Sequence, residues 1–150
     1  MKHYAPYALS LLLSFIVITG FSQNSAKPKQ FSNFPDRINC SEQELARVFT
    51  ASSGQAISLS FSDNFTFAGN ITSNIAKYAN LQSAIVVSPA YSNTIFNVSR
   101  ITNGDGSISY IGRIINKNYF DGFELKRNAT GNYQLNKIET DRVIQDCNQH

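Results

Sequence analysis

After Gly54 the apolar residues of this chain begin to recur at every second position, and Gly, Asn, Asp or Pro stands near the end of most runs. Ile57, Leu59 and Phe61 alternate with serines, Ser62-Asp63-Asn64 turns the chain, and Phe65 and Phe67 alternate with Thr66 and Ala68. A period of two sends successive side chains to opposite faces, so each run predicts a strand with one buried face. Gly69 to Leu81 is ambiguous, because Ile71, Ile75, Tyr78 and Leu81 also fit helical spacing; an irregular or strand-like continuation is expected. Ala84 to Val87 reads as a strand ending near Pro89. Thr94 to Ile101 and Ser107 to Asn116 read as two more, joined by Thr102-Asn103-Gly104-Asp105-Gly106, a hairpin signal because Asn-Gly and Asp-Gly tolerate positive φ. Asp121-Gly122 introduces a strand through Arg127, and Gly131-Asn132 turns into another from Tyr133.

Ahead of the strands, Ser41 and Glu44 have the spacing of a capping box, and Leu45, Val48 and Phe49 follow on one helical stripe. Gly54 supplies the stop, which predicts a helix over about residues 42–52. The expected fold is α+β: a short N-terminal helix packed on a mainly antiparallel sheet of about five to seven strands.

The chain opens with Lys2 and His3, then an apolar run from Ala8 to Thr19, then Gly20-Phe21-Ser22. These are the three parts of a secretory signal peptide, expected to be cut before Gln23. The run of about 12 apolar residues is short of the roughly 20 needed to span a bilayer, so no stable membrane insertion is expected after cleavage. The organisation expected is a signal peptide at 1–22, a flexible leader at 23–35, and one secreted domain at 36–150, in the periplasm or outside the cell.

Export bears on the two cysteines, Cys40 and Cys147. An oxidising compartment favours pairing them, and a Cys40–Cys147 disulfide is expected. Closing a loop of roughly 100 residues would contribute about 4–5 kcal/mol in the chain-entropy model.

Chemistry is restricted by what the chain lacks. The histidines are His3, in the expected signal, and His150, the last residue. That argues against Ser-His-Asp and Cys-His catalysis and against a histidine zinc site. No GxSxG, P-loop or Gly-x-Gly-x-x-Gly opening a helix is present. No catalytic residue, metal ligand or cofactor is assigned. Two carboxylate pairs are candidates for acid–base work on glycans: Asp121 with Glu124, and Glu139 with Asp141 on one face of an expected strand. Asn103, Asp105 and Ser107 could offer oxygens to calcium, but the loop lacks the acidic density of an EF-hand, and hairpin-turn chemistry accounts for them without an ion.

Charged residues make up 15% of the chain and the net charge is +3, with no basic run longer than Lys126-Arg127. Nucleic acid is therefore not an expected partner. Arg100, Arg113, Lys126 and Arg127 fall on expected strands beside Tyr110 and Tyr133. If they share a solvent face, they form a cationic, aromatic-studded surface for a protein or glycan. The expected function is a secreted, non-enzymatic binding module. A small carboxylate-dependent glycan hydrolase and a structural envelope or matrix component are the alternatives.

Overall fold

The structure is a computed structural model that describes residues 27–145. The expected signal segment and Cys147 lie outside the described residues. Eight strands form one antiparallel sheet: β1 (Arg37–Cys40), β2 (Ala56–Ser62), β3 (Phe65–Tyr78), β4 (Leu81–Ser88), β5 (Thr94–Thr102), β6 (Ile108–Ile115), β7 (Asp121–Arg127) and β8 (Tyr133–Glu139). Helix α1 (Glu42–Thr50) joins β1 to β2, and a short helix α2 (Thr140–Gln145) follows β8.

From β2 to β8 the chain is an up-and-down meander, and β1 pairs with β8, giving the order β1-β8-β7-β6-β5-β4-β3-β2. The two edge strands, β1 and β2, come close without a hydrogen-bonded ladder, so the sheet is a nearly closed barrel. This corrects the α+β expectation. The molecule is mostly antiparallel β, and its main helix sits at the barrel seam and one barrel end instead of forming a layer on an open sheet.

The curvature has local causes. Register shifts interrupt β2 between Ser60 and Ser62 and β3 near Ser73 and Tyr78. Gly69, Gly112 and Gly122 lie so close to a neighbouring strand that a Cβ on each would meet a backbone oxygen at 2.4–2.6 Å. Bulges and close-approach glycines are the usual means by which a sheet turns a corner.

The barrel is solid. Its inward positions carry Leu59, Phe65, Phe67, Phe96, Val98 and Ile114, all with no exposed surface. Phe65 alone stacks or tilts against Phe31, Phe34, Phe61, Tyr91 and Phe123 at centroid distances of 4.8–6.0 Å. Aromatic pairs in these geometries add about 0.5–1.5 kcal/mol each beyond area burial.

Both barrel ends are stoppered. At one, α1 turns Leu45, Val48 and Phe49 inward. Asn74 on β3 donates to the helix C-terminal carbonyls of Val48, Phe49 and Ala51 at 3.4, 3.2 and 2.8 Å, satisfying acceptors that have no partner within the helix. Half of the expected capping box forms: Ser41 Oγ accepts the Glu44 N–H at 3.2 Å. The Glu44 carboxylate instead takes Arg47 and the Ser60 N–H of the β2 edge at 3.0 Å, tying the helix to the seam.

At the other end, residues 27–34 cross the barrel mouth as a strap, where a flexible leader was expected. Phe31 is fully buried there. Asp121, itself 3% exposed, accepts the N–H groups of Gln30 and Phe31 at 2.6 and 3.0 Å. The Gln30 side chain donates to the Tyr91 carbonyl and accepts from Thr94 Oγ1.

The expected Cys40–Cys147 disulfide is not found among the described residues, which do not include Cys147. Cys40 is a free, buried thiol whose Sγ lies 3.7 Å from the Ile38 carbonyl. Covalent closure of the chain is replaced by the pairing of β1 with β8, from Arg37↔Asn136 to Cys40↔Tyr133.

Candidate ligand-binding surface

The six residues expected to share one surface are divided by strand parity. Tyr110 on β6 and Tyr133 on β8 point inward and are 6% and 1% exposed. Arg100, in register with Tyr110, and Arg127, in register with Tyr133, lie on the same inward side near the α1 end. Arg127 places its guanidinium 5.8 Å from the Tyr133 ring and donates to the Gly131 carbonyl at 2.7 Å. Burial pushes the Tyr110 hydroxyl above its ordinary pKa, partly offset by the charge of Arg100.

Arg113 and Lys126 point outward, and the structure brings them together around Glu124, at 3.0 and 2.5 Å from its two oxygens. Partial burial alone would raise the Glu124 pKa. The hydrogen bonds and charges of Lys126 and Arg113 outweigh it and hold the carboxyl below its ordinary value. These three side chains edge a groove of about 530 Å³ with Asn97, Ser99 and Ile111. Its floor lies where the β6–β7 ladder stops, after Gly112↔Leu125.

The groove is one margin of a wider outer face that sequence reasoning missed. On β4 the outward positions are Leu81, Ser83, Ile85 and Val87. Across the ladder on β5 they meet Ile101, Ser99, Asn97 and Ile95. On β6 these face Ser109, Ile111, Arg113 and Ile115. Seven of these twelve positions are aliphatic and one, Arg113, is charged. Every one is at least partly exposed, the most exposed aliphatic ones being Ile111 at 54% and Ile95 at 41%. The outer face of an antiparallel sheet ordinarily carries polar residues where it meets water.

The carboxylate candidates do not assemble. Asp121 commits both oxygens to the strap, and Glu124 is engaged by two cations. Glu139 pairs with Arg142 at 2.6 Å. Asp141 is on helix α2 instead of the expected strand, and pairs with Lys27. Asp121 and Glu139 do line one small groove of about 290 Å³ with Lys29 and Lys137. There Lys137 is held by Asp36 and the Phe34 carbonyl. Asp105, in the expected calcium turn, accepts the hydroxyl and N–H of Ser107, which hold its carboxyl below the ordinary value. Among the described residues no three His, Cys, Asp or Glu side chains cluster in a way that could hold a metal ion.

Comparison with protein-family models, with curated proteins and with solved structures returned no match.

Proposed function

We propose that this chain is an exported, non-enzymatic binding module that engages a protein through the outer face of β4–β7. The observation that carries the reading is the aliphatic face on β4, β5 and β6, set on a barrel whose interior is filled. With side chains occupying the lumen and both ends stoppered, a ligand has the outside of the barrel to bind. Contiguous exposed apolar surface on a folded protein marks an interaction site. A protein suits this face better than a glycan. Sugar rings stack on aromatic faces, and the aromatic rings here are mostly turned into the core, with Tyr78 the one large exposed ring among the described residues. The Arg113–Glu124–Lys126 cluster at the groove supplies a polar rim beside the apolar centre, the usual anatomy of an interface.

The test is capture from the native medium or envelope with the wild-type protein and with Ile111→Glu. The reading expects a protein recovered by the first and lost by the second. Equal recovery by both, or preferential retention of glycan, would overturn it.

A further inference from the structure

We infer that a partner of this face is a second copy of the same chain, docked sheet to sheet about a two-fold axis. The inference deepens the functional reading above and rests on it.

The panel is built for flat contact. β4 pairs with β5 through Leu81↔Ile101 to Ser88↔Thr94, and β5 with β6 through Ile95↔Ile115 to Thr102↔Ile108, both without a register shift. The irregularities that bend the barrel lie to either side, in the bulges of β3 and in the short β6–β7 ladder. Long, unbroken ladders leave the face regular enough for side chains of two sheets to interdigitate, as in packed sheets about 10 Å apart.

The electrostatics select no oppositely charged partner. The single cation of the panel, Arg113, is already bonded to Glu124 at its edge. A face whose twelve central positions hold one charge, already paired, with aliphatic side chains interleaved with Ser83, Ser99 and Ser109, is complementary to itself. A two-fold contact requires that self-complementarity, because the same patch is used on both sides.

Area is consistent with a modest dimer. Strand spacing of about 4.8 Å and about 6.8 Å per two residues give each outward position about 33 Å², so twelve positions cover about 400 Å². The next outward positions on β3 and β7 extend this to about 600 Å² per copy, or about 1,200 Å² in total, the lower end of specific interfaces. Interfaces of that size are typical of transient association.

Sedimentation equilibrium of the wild type up to about 300 µM is expected to show a monomer–dimer equilibrium. Ile95→Glu combined with Ile111→Glu should weaken it at least tenfold, with an unchanged circular dichroism spectrum, since both side chains are exposed. Ala129→Glu, at an exposed position in the turn between β7 and β8, should leave it intact. A wild type that stays monomeric throughout, or a dimer that survives the double substitution, would overturn the inference. Flotation of the monomeric wild type with lipid vesicles would overturn it too, assigning the face to a membrane surface. The two readings separate cleanly. If the protein is monomeric yet Ile111→Glu abolishes capture of another protein, self-association fails and the functional reading stands. If the dimer breaks while capture is unaffected, the functional reading fails instead.

Discussion

The hydroxyl of Tyr133 on β8 accepts the backbone N–H of Tyr110 on β6 at 3.0 Å, reaching past the strand that lies between them in the sheet. It does so where β6 and β7 have already separated, two residues beyond their last paired position at Gly112↔Leu125. A buried side chain thus stands in for the missing ladder bond, and the two rings pack edge to face at 5.6 Å. Tyr133→Phe keeps the ring and leaves that buried N–H without a partner. We expect a loss of about 1–3 kcal/mol in urea unfolding, with little change on Tyr119→Phe, whose hydroxyl bond to Ser92 is exposed.

The strap is the second place where a few contacts carry much of the fold. Phe31 meets the rings of Phe34, Phe65, Tyr91 and Phe123 at 5.2–6.1 Å, so Phe31→Ala should cost about 3–5 kcal/mol. Asp121→Asn replaces one acceptor oxygen with a donor and strands one of the two strap N–H groups. We expect it to cost about 1–3 kcal/mol and to speed tryptic cleavage after Lys29 in native buffer. Unaltered cleavage would mean that the carboxylate does not hold the strap.

Cys40 makes a pH-dependent prediction. Burial pushes its thiol up to about 12, against an ordinary value of 9.0, with a smaller opposing effect from a backbone hydrogen bond at Leu135. The folded state therefore keeps its proton over a range in which the unfolded chain gives it up. Below pH 9 this group leaves stability unaffected. Between about 9 and 12 it reduces stability by about 1.4 kcal/mol per pH unit, as a group buried in its neutral form must. Cys40→Ala should remove that part of the alkaline slope. Peptide mapping after alkylation at neutral pH should find Cys40 modified only once the protein is unfolded, because the thiolate is the reactive species.

Gly112 tests the barrel corner. A Cβ there would sit 2.6 Å from the Asn97 carbonyl oxygen, so Gly112→Ala must push β5 and β6 apart. A cost of about 1–3 kcal/mol is expected, typical of overpacking in a rigid setting. Gly104→Ala, in open space at the hairpin tip, should stay within about 0.5 kcal/mol of wild type.

These sites show how much the sequence discloses. Alternation and turn residues disclosed most of the strands and the antiparallel pairing, since both signals are local. The Ser41 cap located the start of α1. The four residues of β1 carry too short a pattern to stand out, and the strap's attachment to Asp121 spans about 90 positions, beyond any local signal. Closure had left a trace: Gly69, Gly112 and Gly122 interrupt strand patterns, the mark of a tight bend.

The shared cationic surface was excluded by spacing alone. Tyr110 and Arg113 are three apart on one strand, and Lys126 and Arg127 are adjacent, so a period of two must divide each pair between faces. The outer aliphatic face, by contrast, needs strand order and register before Ile85, Ile95 and Ile115 can be placed together. Neither is encoded within one strand. The disulfide was inferred from compartment and cysteine count, and neither carries information about which strand lies beside Cys40.

The central claim is that the barrel is filled and that it binds with its outside. Titration of an apolar fluorescent dye such as anilinonaphthalene sulfonate, at submicromolar protein in native buffer, addresses it most directly. The account predicts enhancement from the wild type that falls at least fivefold when Ile95 and Ile111 are both replaced by Glu. Enhancement that survives this double substitution, but disappears when Val98 in the interior is enlarged to Phe, would place the binding site in the lumen and contradict the account.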